Sequence, residues 1–511
     1  MVTKSKKGGV KYKLDAGPVG MKMTPEGKIT WTAPAFVPDT WSVIVSVSDA
    51  SGQERFHTFT LQVAQDNTAV AKEPKVGAAP PEPVVPAAPI APIDLVVKPA
   101  ALTQDEHTVN LPSSIGQVAV GAGGRLLILH LPKDRKLAIF DTAMAKIVKY
   151  LPLAEDTVAF AAGAKSLIVL LPTANVIQRW NLATLEKEVT LPNPIPTAVK
   201  SLAMGSASHG PLVVVGTGGA GISLYDPRTL KASEYSLTAL RIFHPQYPPE
   251  VRVSANGETI AAWVIGLSPS GVYIWSRQGS EYKASHQHDS YGSLLPTPDG
   301  KMVFALGRLL TPDGKPIGEV KPRSSIYIPA VQGTAWLSVE GGGDDRFGGR
   351  PAQRPRLHIH LDRDTRPLVT LNEPTGLENL ASAAPRIFLV QDAKLMAIVP
   401  PSADKLVLHR FDIDAMLVKA GIDYLLVVGS PPSEAPLGGT FRYTPSVKSK
   451  KGGVKIKLDS GPEGMTLGAD NTLTWAVPKD APKEVNVILT ISDATGQEVF
   501  HTFKLATKTL D

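Results

Sequence analysis

The 511-residue chain contains no cysteine, which excludes disulfides, thiolate nucleophiles, cysteine-ligated zinc and iron–sulfur clusters. No run approaches the roughly 18 uninterrupted apolar residues needed to cross a bilayer, so membrane insertion by a helix is not expected. The first 30 residues open on Lys4-Ser-Lys-Lys-Gly-Gly9 and hold no apolar core of a signal peptide. Clustered charge is also missing. A net charge of +6 and a pI near 9.1 are spread over the whole length, unlike the basic footprint of a dedicated nucleic-acid binder, so no nucleic-acid partner is expected. What the chain does have is 44 glycines and 45 prolines that break 43% hydrophobic residues into short segments. That punctuation suits strands and tight turns, and the length suits several cores.

An internal repeat brackets the chain. Lys4 to Leu61 recurs without a gap at Lys448 to Leu505, with 32 of 58 positions identical. Both copies run from a basic Lys-Ser-Lys-Lys-Gly-Gly-Val-Lys start through Gly-Pro-x-Gly-Met and Thr-Trp to an alternating stretch, Val43-Val45-Val47 or Val487-Leu489-Ile491. Alternation bounded by Gly, Pro, Asp and Asn is the mark of antiparallel strands with one buried face. Asp49-Ala-Ser-Gly52 and Asp493-Ala-Thr-Gly496 read as hairpin turns. The Gly-Pro-x-Gly-Met and Thr-Trp pattern resembles the immunoglobulin-like or cadherin-like modules of large bacterial surface proteins. The resemblance implies a β-sandwich with Trp31 or Trp475 in its core and Met21 or Met465 beside it, and implies no specific ligand. Asp423-Tyr-Leu-Leu-Val-Val428 and Gly439-Thr-Phe-Arg-Tyr443 read as opening strands of the second copy, with no counterpart before the first. The chain is therefore expected to be a fragment of a longer protein, secreted, periplasmic or at the cell surface, or else a protein that self-associates by lending a strand to the incomplete first sandwich.

Between the copies the expected order is sandwich 1–68, linker 69–93, propeller 94–422 and second sandwich 423–511. The linker, rich in Ala, Pro and Val, reads as a semi-rigid polyproline spacer. After it, four apolar runs near 117–120, 125–130, 136–141 and 146–150 form a meander. Its third strand ends on an aromatic followed by a polar residue, at Phe140-Asp141, Trp180-Asn181, Tyr225-Asp226, Trp275-Ser276 and Phe411-Asp412. The long last interval is divided by strands expected near Pro316–Val320 and Leu357–Leu361. Ser254-Ala-Asn-Gly257 and Pro298-Asp-Gly300 fall where inner strands should join, and a strand from 93–112 is expected to close the ring. The region resembles divergent WD40 or YVTN-like propellers of bacterial multidomain proteins. The expected fold is all-β, a seven-bladed β-propeller flanked by two sandwiches.

Several local patterns mimic chemistry. His358-Ile-His360-Leu-Asp362, His286 with His288 and Asp289, and the repeated Asp49/Glu54 and Asp493/Glu498 have metal-ligand residue types, but each lacks a third converging motif. Met204-Gly-Ser-Ala-Ser-His-Gly210 does not give the order of a nucleophile elbow, and Gly216-Thr-Gly-Gly-Ala-Gly221 leads to a strand rather than a helix. No catalytic residue, metal or cofactor is therefore expected. Candidate binding residues are Arg346, Phe347, Arg350, Arg354 and Arg356, in a Gly/Arg-rich insertion suited to a carboxylate-rich or carbohydrate partner. The leading function is a non-enzymatic platform for a protein or glycan. The alternatives are a propeller hydrolase or lactonase working in the central channel, and a self-assembling envelope subunit.

Overall fold

The computed structural model describes residues 3–32, 40–62, 92–238, 246–317, 326–340, 356–361, 367–372, 386–419, 421, 423–428, 431–432 and 434–508. Their regular structure is nearly all strand; among them the α-helix is Ile413–Lys419, which leads out of the last propeller sheet.

The meander read from 117–150 is present. Gln117–Gly121, Leu126–Leu131, Lys136–Asp141 and Lys146–Pro152 pair in sequence order into one antiparallel sheet. Similar meanders follow over 159–192, 199–225, 250–287, 295–317 and 326–372. Hydrophobic clusters join neighbouring sheets in turn. Leu126, Ile128 and Ile139 of the 117–152 sheet share one with Phe160, Leu167 and Val169 of the next. At the other end, Leu127, Leu129 and Phe140 meet Val390, Leu395 and Leu408 of the 387–410 sheet. The last sheet thus packs back on the first, and the ring is a propeller whose cores lie between sheets.

Closure is achieved as expected from the 93–112 segment. Glu106–Asn110 pairs antiparallel with Lys405–Arg410 and becomes the outer strand of the last sheet. A second device holds the inner turns. Ala122 N donates to Gly163 O at 2.8 Å, Gly123 N to Ser206 O at 2.8 Å, Ala207 N to Ala255 O at 2.8 Å and Asn256 N to Pro298 O at 3.1 Å, so adjacent turns share a belt of backbone hydrogen bonds.

The aromatic-polar signature has a physical cause. Phe140, Trp180, Trp275 and Phe411 are buried between sheets. In four of the five pairs the polar residue caps the backbone that follows, Asp412 by accepting from Ala415 N at 3.2 Å. Asp141 accepts from Ala143 N and Met144 N, both at 2.9 Å. Asn181 does so for Ala183 N and Thr184 N, and Asp226 for Arg228 N. Asp141 is also held by a bidentate pair with Arg125 at 2.9 and 2.8 Å, fully buried, while Arg125 reaches Val96 O at 2.6 Å. One expected strand is reassigned. Pro316–Ile317 is the outer fourth strand of its sheet, and the third is Arg308–Leu310, joined to Val303–Ala305 by a tight turn at Gly307; residues 318–320 lie outside the described residues.

The two repeat copies fold alike where they correspond. Lys11–Ala16, Thr40–Ser48 and Glu54–Gln62 form one sheet, and Lys455–Ser460, Glu484–Ser492 and Glu498–Lys508 form its equivalent. Trp475 and Met465 lie in the second core, with Trp475 Nε1 donating to Glu463 O at 3.0 Å; Trp31 repeats the bond to Val19 O at 3.1 Å and is only half-buried. The opening strands read at 423–443 are Leu425–Val428 and Thr440–Tyr443. A third short strand, Glu434–Pro436, runs parallel to the end of Glu498–Lys508. Proline at its end hid it from a search for alternation.

Candidate interaction surfaces

Of the binding residues expected from sequence, Arg346, Phe347, Arg350 and Arg354 lie outside the described residues. Arg356 begins the strand Arg356–Leu361, exposed and paired in register with Glu340 and Asn372.

The motifs that mimic chemistry are absorbed by the fold. His360 stacks on Trp336 with ring centroids 3.8 Å apart and shares a 2.8 Å hydrogen bond with Ser338. His358 hydrogen-bonds Thr370 at 2.9 Å, and Asp362 lies outside the described residues. His286 stacks on Tyr273 at 4.8 Å. The Asp49 carboxylate accepts from the hydroxyls of Ser5 and Ser51, both at 2.6 Å, which holds its pKa down to about 2. Asp493 repeats this with Thr495 and Ser449. These carboxylates close hairpins. Among the described residues no group of three or more His, Asp or Glu side chains is placed to hold a metal.

The loop over 204–210 is part of the inner belt. A Cβ on Gly205 would meet Ser254 O at 2.4 Å and Ala255 O at 2.7 Å, so glycine is needed there for backbone approach between sheets. Ser208, buried, spends its hydroxyl on Gly205 O at 2.9 Å. Gly216 and Gly221 close a hairpin through a 2.9 Å backbone bond.

The surfaces that sequence reasoning missed lie where the sandwiches meet the propeller. In the first, alternate residues on the outer face of its sheet are spent on contact. Ile44 is buried and, with Ala16 and Phe56, packs on the cluster between the 117–152 and 159–192 sheets. Glu54 pairs with Lys187 at 2.6 Å, and Lys187 sits 5.4 Å over the Phe56 ring and 5.8 Å from Trp180. Arg55 donates to Ala154 O.

The second sandwich meets the propeller through different residues. Arg277 lies between Glu258 and Glu484, Lys508 pairs with Glu434 at 2.8 Å and sits 5.7 Å over Tyr235, and Lys301 donates to Thr502 O at 3.2 Å. This leaves Phe500, the counterpart of Phe56, 70% exposed beside a half-buried Ile488. A large apolar side chain on the polar face of both copies was the available signal. Burial of His501 under Tyr443, and repulsion from Lys301, hold its pKa down to about 4.

Residues 2–64 match the family described as "Putative Ig domain". No curated protein matches the chain in sequence. Among solved structures, the chain is similar to the β-propeller domain of Myceliophteria thermophila Cps50 (Swd1), at 11% identity over 60% of this chain and 99% of that one, TM-score 0.40. It is also similar to dihydro-heme d1 dehydrogenase NirN in complex with DHE, at 11% identity over 78% of each chain, TM-score 0.34. A third similarity, to Chaetomium thermophilum Raptor, has 7% identity over 60% of this chain and 28% of that one, TM-score 0.41. The architecture of the chain is thus a propeller with immunoglobulin-like β-structure, on the order of its own sheets and clusters and on the family match to residues 2–64.

Proposed function

We propose that the chain is a non-enzymatic interaction protein, a seven-bladed propeller carried between two immunoglobulin-like modules and acting as a platform for a protein or glycan at the bacterial cell surface or envelope. Seven blades are supported by the meanders from 117–152 to 326–372 together with the 387–410 sheet that Glu106–Asn110 completes. The observation that carries the functional reading is the unequal use of one face. The face that docks Ile44 and Phe56 on a protein surface in the first module is repeated as Ile488 and Phe500 in the second, where Phe500 is 70% exposed. An aromatic that buries fully on a partner contributes roughly 2–3 kcal/mol, which makes it an anchor of the kind that dominates interfaces. This favours a protein partner.

The test is titration of the full chain against envelope proteins and envelope glycans, with Phe500→Asp as the comparison. Saturable binding weakened at least tenfold by the substitution supports the reading. Silence toward both classes, with turnover of a small ester or lactone, overturns it in favour of a channel hydrolase.

A further inference from the structure

We propose that the outward face of the second module around Ile488, Glu498 and Phe500 docks a β-sheet surface of another protein that offers a lysine beside an aromatic ring, the chemistry that Lys187 and Trp180 offer the first module. This deepens the platform reading and rests on it. The internal repeat carries the argument. Over 11–15, 44–48 and 54–58 every second residue points outward, and eight of these nine are identical in the second module. Lys13, Ile44, Ser48, Glu54, Phe56 and Thr58 recur as Lys457, Ile488, Ser492, Glu498, Phe500 and Thr502; the exception, Ser46 to Thr490, keeps its hydroxyl. The residues between them keep two of six, with Tyr12, Val45, Val47 and Arg55 replaced by Ile456, Leu489, Ile491 and Val499. Folding asks little of an exposed face, where substitutions away from caps and turns cost least. A face kept better than the core beneath it is therefore kept for contact.

The first module shows what that contact is. Ile44 is buried against the cluster between the 117–152 and 159–192 sheets. Glu54 holds Lys187 at 2.6 Å, the same ammonium lies 5.4 Å over the Phe56 ring and 5.8 Å from Trp180, and Thr58 Oγ1 donates to Ala174 O at 3.4 Å. A lysine set between a carboxylate and two rings is recognised by ion pairing and cation–π attraction together.

The second module carries the same carboxylate, ring and hydroxyl in Glu498, Phe500 and Thr502, with Phe500 70% exposed. Glu498 is exposed and makes no ion pair among the described residues, and no cation there covers the Phe500 ring. Lys457, on the same sheet, is held by Asp459 at 2.9 Å, so the charge offered beside Phe500 is that of Glu498. Charge complementarity thus selects a cationic protein surface. One bond does not carry over: Val499 stands where Arg55 reaches Ala154 O.

The chain itself supplies the probe. Glu54→Lys with Phe56→Asp removes the first module's anchors and bares the strand Glu186–Pro192, which then presents Lys187 to the second module of another copy. Sedimentation over a range of concentrations is read together with amide hydrogen exchange at 186–192. The expected result is faster exchange at 186–192 in dilute samples and reversible self-association that wild type lacks. Adding Phe500→Asp or Lys187→Glu should weaken the association at least tenfold, and Glu498→Lys should restore it to the Lys187→Glu variant. Glu54→Lys alone, by repulsion from Lys187, is the milder variant should the double one disturb the first module's own fold. Three results would overturn the proposal: a bared strand in a chain that stays monomeric, association indifferent to Phe500→Asp and Lys187→Glu, or exchange at 186–192 unchanged by loss of the Glu54 and Phe56 anchors. Envelope binding that needs Phe500, without this self-association, would leave the platform reading standing and remove the lysine-bearing partner; self-association without any envelope partner would do the reverse.

Discussion

Removing the Asp141 carboxylate should unfasten the first propeller sheet. Asp141 is fully buried, accepts two bonds from Arg125 and two from backbone amides, and Arg125 in turn ties down the 93–102 segment through Val96 O. Asp141→Ala leaves a guanidinium that is 7% exposed without its partner, a change that costs about 3–5 kcal/mol when one side of a buried pair is lost. The two orphaned amides add about 1 kcal/mol each. Arg125→Met alone should cost less, about 2–4 kcal/mol, because the remaining carboxylate keeps its amide donors. The double variant Arg125→Met with Asp141→Asn removes both charges and retains an acceptor for the turn, so its loss should be smaller than the sum of the singles by at least about 2 kcal/mol. Since the chain has several cores, a single melting temperature does not isolate this site, and local hydrogen exchange over 93–102 and 125–145 is the appropriate assay. Asp141→Ala should speed exchange in both segments. An exchange pattern like wild type, or strictly additive single and double variants, would refute the claim that this pair fastens the segment.

Three other outcomes are expected. Gly205→Ala should destabilise the propeller by about 1–3 kcal/mol in urea unfolding, because its Cβ meets the neighbouring turn at 2.4 Å, whereas Ser206→Ala should change stability by less than about 1 kcal/mol; a nucleophile elbow predicts the reverse sensitivity in activity. His501 has a folded pKa of about 4 against an ordinary 6.5, so the neutral ring is the folded form. Its contribution is complete above pH 6.5 and is lost as pH falls toward 4, by at most about 3 kcal/mol, and His501→Asn should flatten that slope in exchange measurements on 484–508. Phe56→Asp should raise protease access to the first module, while Phe500→Asp should leave stability within about 0.5 kcal/mol, as thermal melts and limited proteolysis would show.

The repeat, the two sandwiches' strand alternation and the aromatic-polar endings were legible because each is a local consequence of burial on one side and a turn on the other. Phe140-Asp141 shows both halves, the ring between sheets and the carboxylate on the turn. The parallel strand Glu434–Pro436 was not legible, since its partner lies far along the chain at Ala506–Lys508 and its proline breaks the pattern. The docking role of Phe56 was hidden for a related reason. An aromatic on a strand's polar face states that something covers it without saying what, and its covering residues, Lys187 and the 159–192 sheet, come from across the chain. The imidazoles of 358–360 carried the opposite lesson: residue types suited to metal were used for stacking on Trp336 and for hydrogen bonds to Ser338 and Thr370.

The most direct test of the central claim, that the chain works by binding through exposed protein faces, is a titration of wild type and Phe500→Asp against a fractionated envelope extract, with small-substrate turnover followed in the same samples. Saturable binding to a defined component is expected, weakened at least tenfold by the substitution at unchanged thermal stability. Turnover of a small substrate, with no saturable binding in either protein, would contradict it.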